Sequence, residues 1–218
     1  NRLNLELTFY NKATSDMLML VPQSYSITGE GSYWKNMGSL VNRGVEIGLD
    51  AAILRVKSFV LNFNANVTYN KNRITALYNG VTEFVNSTTG FKYMVGHPVS
   101  EYYYNRYAGV NPANGTQLWY DKDGNLTDEM LESDKVMTGK SHDPAWWGGF
   151  GLDFGWKGLQ LSAQFSWMAE RWIVNNDRYF DENSAVAQGY NKSRRLLYDR
   201  WKQPGDVTDI PKYGEVLQ

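Results

Sequence analysis

The run Gly139-Lys140-Ser141-His142-Asp143 holds the densest set of reactive side chains in the sequence. Gly-Lys-Ser closes phosphate-binding loops, in which glycine amides cradle the anion and the lysine neutralises it. That loop needs an earlier glycine, and the position is Asp134. It also needs a strand before it and a helix after it, so that backbone amides point at phosphate. Neither is expected here. Ser141, His142 and Asp143 are the residue types of a nucleophilic triad. Triads converge from separate segments, and consecutive residues do not present that geometry. The only other histidine is His97, and there is no cysteine, so acid–base and zinc sites lack candidates. The residues point to no enzyme and call for no cofactor.

Asp121, Asp123, Asn125 and Glu132 occupy positions 1, 3, 5 and 12 of a calcium loop. Leu126 stands where the loop's glycine belongs, and no helices are expected to flank it. An Asp-Gly hairpin with a solvated acidic skirt is the competing reading. Tyr102, Tyr103, Tyr104, Trp119 and Tyr120 form a second group, with rings suited to stacking on sugars or to wet binding surfaces. Packing within a loop is their alternative role. Arg194, Arg195, Arg200 and Trp201 are a basic-aromatic group of the kind that anchors interfaces. Its alternative is plain solvated surface.

These groups need a scaffold, and the scaffold is legible in FVLNFNANVTYN, residues 59–70. Phe59, Leu61, Phe63, Ala65, Val67 and Tyr69 alternate with Asn62, Asn64, Asn66, Thr68 and Asn70. Side chains of a strand alternate faces, so one face is oily and the other amide-rich. Burying such a face is worth roughly 10 kcal/mol, so it must be covered by a second sheet or by lipid. At about 3.3 Å per residue the run spans roughly 40 Å. Tilted by about 45°, that matches the apolar band of a membrane barrel and exceeds an ordinary soluble strand. The alternation recurs around 1–15, 38–54, 146–155 and 159–174, with Ile53 placed on the oily face and Leu54 on the polar one. Trp146, Trp147, Trp156, Trp167 and Trp172 fall near strand ends, as aromatic girdles do.

The expected class is therefore all-β, an antiparallel transmembrane β-barrel segment. Short turns at 55–58 and 155–158 fall at one rim. Long loops at 16–37, 75–145 and 175–218 fall at the other, which is the outside of the cell in such barrels. Asn79-Gly80, Asn114-Gly115 and Asp123-Gly124 are hairpin-type turn pairs within the long middle loop. Glu6, Glu46, Asp50, Asn62, Asn64, Asn66 and Asn70 should face the lumen. Net charge is -1 over 218 residues, with no basic excess to suggest nucleic acid. Five strands cannot close a spanning barrel, and open edges in lipid are costly. Asn1 sits almost on a strand, which suggests a piece of something longer.

In this order, ELTFYNKATSDML (6–18), NMGSLVNRGVEIGLD (36–50), NANVTYNKNRITAL (64–77), VGHPVSEYYYNRYAGVNPANGTQLWYDKDG (95–124), GKSHDPAWWGGFGLDFGWKGLQLSAQFSW (139–167) and NKSRRLLYDRWKQPGDVTDIP (191–211) resemble the C-terminal part of a SusC/RagA-type TonB-dependent transporter. The resemblance implies an outer-membrane barrel of about 22 strands with an N-terminal plug. It implies import of glycan or peptide oligomers with a SusD-like surface lipoprotein, driven through TonB by segments this chain lacks. It also implies a terminal strand beyond Gln218 and a loop at Arg194, Arg195, Arg200 and Trp201 that faces the lipoprotein. The rival readings are a soluble β-sandwich that binds glycans and an outer-membrane enzyme.

Overall fold

The computed structural model describes residues 2–22, 32–86, 91–186 and 189–214. The expected loops at 16–37, 75–145 and 175–218 therefore lie partly outside the described residues. The chain divides into two compact units, Asn1–Tyr102 with Gly139–Trp172, and Tyr103–Thr138 with Ile173–Gln218.

The strands are β1 (Leu3–Pro22), β2 (Ser32–Val56), β3 (Phe59–Leu77), β4 (Glu83–Val85), β5 (Lys92–Met94), β6 (Glu101–Tyr104), β7 (Arg106–Val110), β8 (Gln117–Tyr120), β9 (Leu126–Thr127), β10 (Val136–Ser141), β11 (Trp146–Trp156) and β12 (Leu159–Ala169). The first unit is built on an antiparallel five-stranded sheet in the order β1-β2-β3-β11-β12. Its register puts the oily residues of all five strands in common rows. Leu5, Leu49, Ala65, Phe150 and Phe165 form one row, and Leu3, Ala51, Phe63, Leu152 and Ala163 the next. The intervening row is Asn4, Asp50, Asn64, Gly151 and Gln164. The oily face stays open, with Leu3 and Leu161 each 64% exposed. That openness argues against the β-sandwich, whose oily faces would cover each other.

Four features differ from expectation. The first loop was expected over 16–37, but Met17–Pro22 pair with Ser32–Gly38, so β1 and β2 run further outward. A bulge with Asp16 at φ 57 lets the ladder continue there. A second bulge falls between Ala52 and Leu54, and it pairs Leu54 with Leu61 on the oily face, against the polar placement read from alternation. β12 ends at Ala169 rather than near 174, because Glu170 adopts φ 55 and the Trp172 amide donates to the Ser141 carbonyl. Trp147 pairs with Thr68 on the polar face, and Trp172 lies beyond β12, so neither belongs to a lipid-side girdle. Tyr69, Trp146 and Trp167 mark the outer rim of the oily face, and Phe59 and Trp156 the short-turn rim.

Past Tyr69, β3 loses β11 as a neighbour. Residues 96–99 take its place, with the Ile74 amide donating to the His97 carbonyl at 2.9 Å and the Gly96 amide to the Ile74 carbonyl at 2.8 Å. Ile74, Leu77 and Tyr93 make a small core there, with Phe84, Phe91 and Val99 against it. Asn79-Gly80 closes a 3-10 turn that leads out of β3, not a hairpin between paired strands. β4 pairs with β5, and β6 with β10.

In the second unit, β7, β8 and β9 form a meander. Asn114-Gly115 and Asp123-Gly124 make its two turns, with both glycines at positive φ, as hairpin turns require. The described residues of the tail hold two short helices, α1 (Asn176–Asp181) and α2 (Arg194–Tyr198), capped by the Asn175 and Ser193 side chains. Val110, Leu196 and Ile210 are buried in this unit.

Candidate functional site

The polar face of the large sheet is a connected amide surface. Glu6, Glu46, Asp50, Asn62, Asn64, Asn66 and Asn70 all lie on it by register. Toward the outer rim a chain of hydrogen bonds crosses three strands. The Tyr10 hydroxyl donates to Asn70 Oδ1 at 2.9 Å, and Asn70 Nδ2 donates to Asn42 Oδ1 at 3.2 Å. Asn72 Nδ2 donates to the same Asn42 oxygen at 2.9 Å, and Asn72 Oδ1 accepts from the Val99 amide at 2.9 Å. Tyr10, Asn42 and Asn72 were not among the residues singled out from sequence; their signal was phase, since each shares the parity of the asparagine face. Glycine makes room for these side chains. A Cβ on Gly44 would meet the Tyr10 ring at 2.4 Å, and one on Gly151 the Gln164 amide at 2.2 Å.

Where β3 and β11 part, a recess of about 510 Å³ is lined by Asn70, Asn72, Ser100, Ser141, Asp143 and Trp172 among others. Its size suits a small ligand or one residue of a chain. Ser141 Oγ lies 2.6 Å from Ser100 Oγ, which donates to Asp143 Oδ2 at 2.7 Å. His142 instead sets Nδ1 3.3 Å from the Tyr102 hydroxyl and Nε2 3.4 Å from Arg171 Nη2. The three residue types therefore form no serine–histidine relay. The Gly139 amide donates to Glu101 Oε1 at 2.7 Å, and Lys140 Nζ sits 4.2 Å above the Trp172 ring. Those groups would have to hold phosphate in a Gly-Lys-Ser loop. Instead, the amide meets a buried carboxylate, whose other oxygen is 2.9 Å from His97 Nδ1.

The aromatic candidates do not gather within one unit, because the division of the chain falls between Tyr102 and Tyr103. In the first unit, Tyr102 donates to the Trp172 carbonyl at 3.1 Å. In the second, Trp119 meets the Tyr107 ring edge-on at 5.0 Å, a packing role. Tyr120 lies beneath the Arg106 guanidinium at 5.7 Å and is half open, as is Tyr104. Tyr103 is partly covered.

Arg195 belongs to an ion-pair ring. It reaches Glu182 at 2.7 Å and Asp209 at 2.8 Å, while Arg178 reaches the same two carboxylates at 2.8 Å each. Burial works to raise the Asp209 pKa, but the two guanidiniums outweigh it and hold the carboxyl below its usual range. Burial, with the Asp209 charge nearby, pushes the Tyr107 phenol up to about 12. Trp201 lies against Gly115, and its Nε1 donates to the Pro112 carbonyl at 3.0 Å. Arg195 and Trp201 are thus committed within the unit. Arg194 sits over the Tyr198 ring and is exposed, and Arg200 donates to the last carbonyls of α2.

The calcium quartet does not assemble. Asp121 Oδ1 accepts from the amides of Asp123 and Asn125 at 2.9 and 2.8 Å, and Oδ2 accepts from Asn125 Nδ2 at 3.0 Å. Those bonds, chiefly from Asn125, lower the Asp121 pKa. Glu132 turns instead to Lys135 at 2.6 Å. Among the described residues no cluster of three His, Asp or Glu is placed to hold a metal ion.

A long, in-phase antiparallel sheet with one open oily face and one amide face defines a segment of a membrane-type β-barrel. No protein-family model matches the chain. Three curated relatives from Formosa agariphila, the TonB-dependent receptors P3, P26 and P39, are 25%, 24% and 24% identical to it over 97%, 98% and 96% of its length. Among solved structures, the RagAB peptide transporter matches the whole chain at 37% identity with a TM-score of 0.90. The RagAB peptide importer in its closed-closed state matches at 38% and 0.88. The chain spans about a quarter of these relatives, 22% of P3 and 25% of the first RagAB chain. It is a partial barrel portion of a TonB-dependent receptor of the SusC/RagA type.

Proposed function

We propose that the chain forms one sector of an outer-membrane importer of peptide oligomers. In this reading its oily face meets outer-membrane lipid and its asparagine face lines the lumen. A SusD-like lipoprotein is its surface partner, and TonB acts through segments outside this chain. The observation that carries the reading is the continuous oily face across five strands, which only lipid can cover along so great a length. Peptide is preferred over glycan because the solved relatives are a peptide transporter and importer. Within this role Tyr104 and Tyr120 are the exposed aromatic side chains for substrate, with Tyr103 and Trp119 in the same unit, while Tyr102 serves the other unit through the Trp172 carbonyl. Arg194 and Arg200 are the basic side chains offered to the lipoprotein, on a loop held by Arg195 and Trp201.

The test is deletion of the full-length gene, followed by uptake of a labelled oligopeptide mixture and of labelled oligosaccharides. Peptide uptake should fall and return on complementation. Loss of oligosaccharide uptake alone would overturn the peptide assignment, and loss of neither would overturn the importer reading.

A further inference from the structure

On the oily face of the sheet, three cations of β2 and β3 stand together beyond the aromatic rim. Arg43 and Lys71 are direct cross-strand partners, and Arg73 follows two residues along, opposite Val41. All three share the face of Val45 and Tyr69 and are exposed. The carboxylates Glu6, Glu46, Asp50 and Asp153 lie on the opposite face, and Asp16, in the β1 bulge, accepts from the Asn36 side-chain amide. Like charges directly opposite on neighbouring strands repel. Among the described residues no carboxylate is within ion-pair distance of the three: Glu170 only shares a neighbouring recess with Lys71 and Arg73, and Arg43 meets the neutral Asn11 oxygen at 3.1 Å. The three cations, Val41 and Thr75 line a recess of about 290 Å³. Thr75, which lines that recess, is the extra residue of a bulge between Ile74 paired with Leu40 and Ala76 paired with Ser39.

Depth matters as much as charge. From Phe59 to Tyr69 the strand rises roughly 33 Å, or about 24 Å once tilted by 45°, which is the height of the apolar band. Tyr69 and Trp146, with ring centroids 4.5 Å apart, close that band on the outer side. Lys71 is the next outward-facing residue, so the basic recess stands at head-group level of the outer leaflet.

We propose that Arg43, Lys71 and Arg73 bind the phosphate of a phosphorylated lipid head group in the outer leaflet. The inference rests on the oily face being lipid-covered. Two guanidiniums and an ammonium around one recess suit a phosphate, which accepts several charge-assisted hydrogen bonds at once. The band beneath would take the acyl chains.

The experiment uses the full-length importer, purified from outer membranes and examined by native mass spectrometry with added diphosphoryl lipid A. The wild type should retain the lipid. The triple variant Arg43→Gln, Lys71→Gln, Arg73→Gln should retain at least about tenfold less. Lys12→Gln, a neutralisation on the opposite face, should retain as much as wild type. Equal retention by the triple variant and the wild type overturns the proposal. Retention of fully dephosphorylated lipid as strongly as the diphosphoryl form does so too. Displacement by inorganic phosphate at equal concentration would mark a site for free anions and overturn the lipid assignment. Fractionation and heat-modifiable gel mobility of the wild type are read separately: absence from the outer membrane would sink the importer reading itself, and the site with it.

Discussion

The Tyr10 hydroxyl reaches across β2 to Asn70 on β3, and the residue it passes over is Gly44. The three stand in one register row, so a side chain at 44 and the bond between 10 and 70 exclude each other. Gly44→Ala would place a methyl 2.4 Å from the Tyr10 ring and 2.2 Å from the Tyr69 carbonyl oxygen. Overpacking of this kind costs about 1–3 kcal/mol. Tyr10→Phe deletes only the hydroxyl and should cost about 0.5–1.5 kcal/mol. Thermal unfolding of the full-length barrel in detergent should therefore rank wild type, then Tyr10→Phe, then Gly44→Ala. A Gly44→Ala protein as stable as wild type would show that Tyr10 does not lie over the glycine.

Phe63 and Asn64 are adjacent in sequence and opposite in fate. Phe63 faces Leu152 on the oily side near mid-band, and Asn64 faces Gly151 on the amide side. Arginine at a lipid-facing midplane site costs about 2–4 kcal/mol. Phe63→Arg should thus lower the yield of assembled barrel in the outer membrane, while Asn64→Arg should assemble normally. Equal yields would reverse the assignment of faces.

The alternation of β3 was readable because lipid and lumen impose opposite demands on successive residues, and the period survives in the sequence. It failed where the backbone breaks phase. Ile53 occupies a bulge, so Leu54 joins the oily face that simple alternation denied it. It failed again at β1 beyond Thr14, where a bulge at Asp16 shifts the register and Met17–Val21 is an apolar run without alternation. The Arg178–Glu182–Arg195–Asp209 ring was invisible for a different reason. Its members are as much as 31 residues apart, and charge alone does not say which pairs meet. Arg195 therefore looked like surface available to a partner, when its guanidinium is already engaged.

That engagement separates the arginines experimentally. Arg195→Ala should expose residues 176–210 to faster hydrogen exchange, because it removes one of the two guanidiniums held by Glu182, whose side chain is only 8% exposed, and one of the two held by Asp209. Arg194→Ala should leave exchange unchanged while weakening capture of the lipoprotein. If Arg194→Ala loosens the loop as much as Arg195→Ala, the division of labour is wrong.

The same ring sets an acid limit. Asp209 has a folded pKa below the ordinary aspartate range, so its contribution is complete at neutral pH. That contribution is lost as pH falls through the depressed value, where protonation releases Arg178 and Arg195. Exchange in 176–210, pulsed at one fixed pH after incubation across pH 7 to 2, should rise only in the acid part of that range. In Asp209→Asn the rise should be present from neutral pH. An unchanged acid response in the variant would assign the limit to another carboxylate.

Asp121 gives a final test, because its two roles answer oppositely to metal. As a hairpin residue it spends both carboxylate oxygens on Asp123 and Asn125, and its pKa is low because those donors favour the charged form. As a calcium ligand it would have to turn the same oxygens toward an ion, with Glu132 leaving Lys135 to join it. The hairpin role predicts that excess calcium and chelator both leave the protein's melting temperature unchanged. It also predicts that Asp121→Ala raises hydrogen exchange at 121–127 even in chelator, since the turn loses its acceptor whatever the ion content. A melting temperature that rises with calcium and falls back with chelator would restore the ion and demote the hairpin bonds to its empty state.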